Sequence, residues 1–402
     1  MGFAAYEHDF TALEDTIFIE NAPMASLYVH IPFCEKKCIY CDFYSIENMS
    51  SMERFLHSLD TEIRMYADQY SPRETFETVF FGGGTPSLLP PSKLEEILTT
   101  IHSCYRIDPG AEITVETNPG TVDVEKLRAY RSLGVNRLSI GIQSFDKTEL
   151  TFLSRIHDAD EARACVENGY RAGFENVGVD LIFSLPHQTK ERWTENLRSA
   201  FALKPKHISA YSLIVEEHTP LFSMVQNGSV RPLTEERDSE LYEATIDLMA
   251  DHGYHQYEVS NYAVTGFECR HNKNYWNHSN YLSFGPSAHS FWKEYPAGGR
   301  RWWNARSIGQ YCDALEKGTL PVAGYENIDR TQMFSEAVFL GLRTGELNLA
   351  VLQQVYGVDM QTTHGEKLKS FSEEQLMSVR DRRIILTRKG FLVCDAIAES
   401  LL

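Results

Sequence analysis

Three cysteines stand within eight residues, Cys34, Cys38 and Cys41, inside the run Tyr28 to Tyr44 (YVHIPFCEKKCIYCDFY). Thiolates so closely spaced suit a metal centre, and their number narrows the choice. A structural zinc ion takes four protein ligands in a closed tetrahedron, usually from two paired motifs, and the chain offers no second pair. A cubane iron–sulfur cluster also wants four ligands, but its last iron can be left to a small molecule. Three cysteines are then a complete set. The bland alternatives are a zinc knuckle and a chance grouping of buried thiols.

Other residues could serve a cofactor beside such a cluster. Gly83-Gly84-Thr85-Pro86 puts bare backbone at a strand end, where a ligand amino group can approach carbonyls, or it is simply a tight turn. It lacks the spacing of a dinucleotide-binding loop. Glu116 and Gln143 stand at strand ends and Asp180 within a strand, each a candidate for a ligand contact or a helix N-cap. Arg155 follows a short helical segment, and its guanidinium suits a carboxylate. His271 opens the hexapeptide HNKNYW. An imidazole with Tyr275 and Trp276 nearby supplies the axial base and aromatic wall that heme needs, although a histidine packed in an aromatic cluster reads the same way. His278 and His289 lie in the same stretch.

The elements that must position these groups alternate. A strand ends at Pro32, residues 51–70 have helical spacing, and residues 78–81 form a buried strand running into the glycines. Helices follow over 92–104, 122–133, 159–172 and 191–203, and strands over 112–116, 137–142, 176–183 and 207–214. Six βα units predict an α/β fold, a partial (β/α)6 TIM-like barrel with its ligands at one rim. Residues 234–252 read as a long helix and 253–262 as one further strand. Residues 266–303 read as a loop-rich insert. From about residue 329 helices over 331–342, 348–355 and 360–371, a strand at 384–387 and a turn at Lys389-Gly390 suggest a small winged-helix-like domain. The expected organisation is an N-terminal arm (1–24), a core barrel (25–215), an extension (216–328) and a helical C-terminal domain (329–402).

Composition sets bounds. Apolar residues make up 43% and charged residues 23% of the 402, the balance of an ordinary globule. No apolar run approaches the roughly 20 residues of a membrane-spanning helix. The formal charge of −18 opposes a phosphate backbone, so nucleic acid is not an expected partner. Eight cysteines are too dilute for a disulfide scaffold, and an oxygen-labile cluster points to a reducing cytoplasm.

The runs HIPFCEKKCIYCDFYS, FFGGGTPS, VETNPG, LSIGIQSF, VDLIFSLP and HISAYSL resemble the branch of the radical S-adenosylmethionine (SAM) superfamily related to oxygen-independent coproporphyrinogen III oxidase. The resemblance covers about residues 25–300, and the C-terminal part resembles that family's helical domain. It implies a [4Fe-4S] cluster on Cys34, Cys38 and Cys41, whose open iron SAM chelates before reductive cleavage to a radical. It further implies Tyr28 near the methionyl part of SAM and Tyr40 near its adenine. Gly83, Gly84 and Thr85 would meet the amino group and Glu116 the methionyl end. Gln143, Arg155 and Asp180 would meet the ribose, with Ala210 and Tyr211 on the other side of the adenine.

Two features depart from the oxidase. Its further cysteine, two positions after the third ligand, is replaced here by Phe43, and its N-terminal arm is longer. HNKNYW instead resembles the HNxxYW pattern of the HemW heme chaperones in the same superfamily. That resemblance implies a protein that binds heme at His271 and delivers it to apo-hemoproteins of the respiratory chain, with a homodimer and peripheral membrane contact as further expectations. The alternative is an oxidase that forms protoporphyrinogen IX by radical decarboxylation. A radical SAM tailoring enzyme usually needs a second cobalamin, iron–sulfur or cysteine site, and none is evident.

Overall fold

A computed structural model describes residues 25–71, 74–294 and 298–402; the expected arm over 1–24 lies outside them. The alternation runs through β1 Ala25–Ile31, α1 Met52–Tyr70, β2 Phe76–Gly83, α2 Pro91–Cys104, β3 Ile107–Thr117, α3 Val124–Ser132 and β4 Arg137–Gln143. It continues with α4 Lys147–Phe152, α5 Ala159–Arg171, β5 Asn176–Phe183, α6 Lys190–Ala202 and β6 His207–Ser212. Strands β1 to β6 pair in parallel, each with the next. Alternation divides each strand between two faces. Leu27, Val29 and Ile31 of β1 join Phe55, Leu59 and Ile63 of α1 in the main apolar core. Ser26, Tyr28 and His30 point to the other, inner face.

Next come α7 Pro220–Gln226, α8 Glu235–Asp251, β7 His255–Gln256, β8 Asn261–Ala263, α9 Arg270–Trp276, β9 Tyr281–Phe284, β10 His289–Glu294, β11 Gly298–Asn304, α10 Ile308–Glu316 and β12 Val322–Ile328. All twelve strands form one sheet in the order β12-β11-β10-β9-β1-β2-β3-β4-β5-β6-β8-β7. Its end strands are β7 and β12, so the barrel is partial and open, as the six βα units predict. Two expectations are corrected. The strand expected over 253–262 is two short strands, β7 and β8. The expected loop over 266–303 contains α9 and three strands, with β9 parallel to β1 and β10 and β11 antiparallel beyond it. These strands escape a period-2 reading because they are short and their inner side chains include Ser283, His289 and Arg301, with no apolar run to announce them.

The C-terminal part comprises α11 Arg330–Arg343, β13 Glu346–Asn348, α12 Leu349–Tyr356, α13 Met360–Thr363, α14 Gly365–Glu373, β14 Met377–Arg380, β15 Arg383–Leu386, α15 Arg388–Leu392 and α16 Cys394–Ser400. A three-stranded sheet, β13-β15-β14, and the surrounding helices share a second core around Val338, Leu342, Leu352, Ile384 and Ile397. The expected helix over 360–371 is broken at His364, and Lys389-Gly390 lies in α15 rather than in a turn. No helix among the described residues is long and apolar enough to cross a membrane.

Candidate cluster and cofactor site

The cysteines lie on a loop closed at its neck. The Cys34 N–H donates to the Ile46 carbonyl (3.0 Å) and the Ile46 N–H to that of Pro32 (2.8 Å). Within the loop the Cys41 N–H donates to the Cys38 carbonyl (3.3 Å), and the start of α7 ties it down through Leu221 N–H to Ile39 O (3.0 Å). The glycine turn after β2 zips onto the neck: Gly84 N–H donates to Ile31 O (2.8 Å) and Thr85 N–H to Phe33 O (2.7 Å). A Cβ at Gly84 would lie 2.6 Å from the Phe33 carbonyl oxygen, and one at Gly83, where φ is +109°, 2.6 Å from the His30 ring. The glycines are therefore required by packing against the loop, whatever else they serve. His30 braces the loop from the inner face, with Nε2 2.8 Å from the Tyr44 carbonyl and Nδ1 3.1 Å from the Tyr28 hydroxyl.

Two of the sulfurs are joined through a chain of side chains. Thr85 Oγ1 donates to Cys34 Sγ (3.5 Å), and Asn118 Nδ2 donates to Thr85 Oγ1 (2.9 Å). Arg155 Nη2 donates to Asn118 Oδ1 (2.7 Å) and to the Gly141 carbonyl (2.5 Å), while its Nη1 reaches Cys38 Sγ at 3.7 Å. Arg155 Nε is buried without a partner. A cleft opens here between Glu35, Lys36, Cys38, Thr85, Asn118 and Arg155. Burial pushes the Cys34 thiol up, and the Cys41 thiol to about 11, so ligation must release their protons. A cubane sets each thiolate on its own iron, and three thiols on a closed loop beside an unpartnered guanidinium nitrogen fit that group.

Behind the loop the inner face is polar. Glu116 Oε2 accepts from the Gly83 N–H (3.2 Å); burial first, and then the Asp180 carboxyl, push its pKa up to about 8. Asp180, which sequence places inside a strand, turns inward and accepts from Ser209 Oγ (2.6 Å) and Ser139 Oγ (3.2 Å); burial raises it also. Tyr28 shares this face and Gln143 ends β4 with φ at +68°. Tyr40 packs with Leu153, Ile182 and Leu185 at the rim. The Ala210 side chain is in the apolar core, whereas Tyr211 is 41% exposed on the inner side. Sequence reasoning missed His30 and the bridging role of Asn118, which reads only as a turn residue in Asn118-Pro119-Gly120.

His271 lies elsewhere, at the end of the barrel away from the cysteine loop. Its Nδ1 is 2.7 Å from Thr78 Oγ1, its Nε2 is 3.0 Å from the Tyr275 hydroxyl, and its ring stacks on Phe80 with centroids 4.9 Å apart. It is 2% exposed, and burial drives its pKa down to about 3. The backbone N–H groups of Arg270 and His271 donate to Glu112 and Asn274 Nδ2 to Ser26 Oγ, so α9 plugs the barrel floor. Both ring nitrogens are engaged, and neither face is open to a porphyrin.

The Radical SAM superfamily pattern matches residues 28–200, and the HemN C-terminal domain matches residues 328–393. A Bacillus subtilis protein named heme chaperone HemW is 33% identical over 94% of this chain and 99% of its own length. The chain belongs to the HemW family. The Escherichia coli HemW is 38% identical over 66% of the chain and 70% of the relative, and a mitochondrial radical SAM domain-containing protein of Bos taurus is 31% identical over 94% and 87%. Coproporphyrinogen III oxidase (HemN) from Escherichia coli has the same fold, with a TM-score of 0.79 at 22% identity over 94% of this chain and 90% of that one. A radical SAM family implies SAM and a [4Fe-4S] cluster, and in HemW terms the closed loop, Thr85 and Arg155 are where this chain can hold them.

Proposed function

We propose that this chain binds heme and passes it to hemoproteins, with a [4Fe-4S] cluster on Cys34, Cys38 and Cys41 and SAM at the barrel mouth. The observation that carries this reading is the relation, over 94% of the chain, to a protein named heme chaperone. When bound, cluster and SAM would supply one-electron chemistry. The chain's own residues prepare the place: Thr85 and Arg155 donate toward sulfur, and Arg155 keeps one buried donor for an acceptor on the ligand. Gly83, Gly84, Glu116, Gln143, Asp180, Tyr28, Tyr40, Ala210 and Tyr211 are the remaining SAM contacts proposed by resemblance. Recipient hemoproteins of the respiratory chain, a cytoplasmic location, a homodimer and peripheral membrane contact belong to the same reading. Iron ligation by His271 would require α9 to lift from the barrel floor and break the Thr78 and Tyr275 contacts.

Anaerobically reconstituted protein titrated with hemin should develop a saturable Soret band. No saturable binding would overturn the proposal. Coproporphyrinogen III incubated with reduced protein and SAM should return unchanged, and a vinyl product would favour oxidase chemistry instead.

A further inference from the structure

His30 has a hydrogen-bond partner on each ring nitrogen, and the two partners differ in what they can do. Its Nε2 lies 2.8 Å from the Tyr44 carbonyl and its Nδ1 3.1 Å from the Tyr28 hydroxyl. A carbonyl oxygen only accepts, so Nε2 must carry a proton. Burial above all brings the His30 pKa down to about 4, so near neutral pH the ring is uncharged and holds that one proton. Nδ1 is therefore a bare lone pair, and the Tyr28 hydroxyl must donate to it. A ring turned over would set carbon atoms against both partners and lose both bonds. Two glycines make room for it: a Cβ at Gly83 would lie 2.6 Å from the imidazole, and one at Gly285 3.0 Å from the His30 Cβ.

The donated proton decides what Tyr28 can offer a ligand. Among the described residues its hydroxyl has no other hydrogen-bond partner, so the remaining lone pair of the oxygen is free on the polar inner side of the barrel. The hydroxyl sits against the glycine turn, where a Cβ at Gly82 would lie 3.2 Å from it, and Glu116 acts on it from the next strand. An oxygen whose proton is committed elsewhere accepts and does not donate. It suits an amino group and has nothing to give a carboxylate. The far end of this chain of bonds is the cysteine loop: Tyr44 follows Cys41 by three residues, and its own hydroxyl accepts from the Ile308 N–H (2.8 Å). From this placement we propose that His30 is a positioning residue for SAM, a role distinct from bracing the loop: its Nδ1 fixes the Tyr28 hydroxyl as an acceptor for the amino end of the methionyl part. The proposal deepens the reading of the barrel mouth as a SAM site and rests on it.

The test separates the two ring nitrogens. Glutamine can set its amide nitrogen where Nε2 stands and keep the Tyr44 contact, whereas asparagine can set its amide oxygen where Nδ1 stands and keep an acceptor for Tyr28. In full-length, reconstituted protein His30→Gln should retain the wild-type iron and sulfide content and bind SAM about tenfold more weakly by calorimetry, the loss of one hydrogen bond to a polar cofactor group. His30→Asn should do the opposite, losing iron while each remaining cluster binds SAM with wild-type affinity. Tyr28→Phe should match His30→Gln, and the double variant should be no weaker than Tyr28→Phe alone, because one residue acts through the other. His30→Gln with wild-type SAM affinity, or losses that multiply in the double variant, would overturn the proposal and leave His30 as a brace. In cluster-free protein, nitrogen-15 spectra of the histidine rings should show the His30 proton on Nε2. A proton on Nδ1 would overturn the assignment without reference to SAM. Wild-type protein that binds no SAM while those spectra still show the Nε2 proton would instead overturn the SAM reading, and the positioning role with it.

Discussion

Asn118 touches no sulfur, yet it stands between Thr85 on Cys34 and Arg155 on Cys38. Asn118→Ala removes an acceptor from one and a donor from the other. Leaving such groups unpaired costs about 1–3 kcal/mol, so SAM affinity should fall roughly tenfold by calorimetry on reconstituted protein, with iron and sulfide content little changed. Gly84→Ala should do the reverse. Its Cβ would press on the Phe33 carbonyl, which is backbone and cannot turn aside, at a cost of about 1–3 kcal/mol. Iron incorporation should drop while circular dichroism holds, and normal cluster content would count against the packing account of this glycine. The cysteine spacing was legible because all three ligands fall on one short loop. The asparagine was not, because its partners lie 33 and 37 residues away. His271 shows the opposite limit: sequence reveals an imidazole among aromatics, but not Thr78, 193 residues distant, on its Nδ1.

The six parallel strands were readable because their outward residues are apolar and their helices carry one apolar stripe each. The strands β9 to β11 were not, since their inner side chains mix polar Ser283, His289 and Arg301 with Tyr281 and Phe291, which pack against Ile328 and Met333 from distant parts of the chain. They are fixed by contacts that no local pattern reports. Foremost is Glu62 of α1, fully buried, which accepts from Tyr311 of α10 (2.6 Å), Asn304 at the end of β11 (2.6 Å) and the Gly285 N–H just after β9 (2.8 Å). Burial pushes its pKa up to about 7, against these hydrogen bonds. The folded value lies above the ordinary 4.5, so the group's contribution to stability is fully present below pH 4.5 and is lost as pH rises through about 7. Glu62→Gln should remove that slope between pH 5 and pH 8 in urea unfolding. A slope that survives the substitution would assign the pH dependence to another group.

At the scale of the molecule, the question is what holds the C-terminal part, with a core of its own, against the sheet. Arg301 on the inner face of β11 joins three elements: Glu326 of β12 (2.5 Å), Glu336 of α11 (2.7 Å) and the Phe291 ring of β10, over which it sits at 5.7 Å. His278 Nε2 lies 3.0 Å from the same Glu336 carboxylate. On the far side the junction rests on Arg388 with Asp247 and on Val259 N–H donating to Arg343 O (3.0 Å). Charged contacts on that side are well exposed and contribute little, whereas Arg301 is only 27% exposed and its loss strands a half-buried glutamate. Arg301→Ala should therefore loosen the junction by about 1–3 kcal/mol without melting either core. Hydrogen exchange should quicken in α11 and β12 and stay unchanged in β2 to β5. Faster exchange spread evenly through the barrel would mean that the two cores unfold as one unit, and that the junction is not the weak seam the contacts describe.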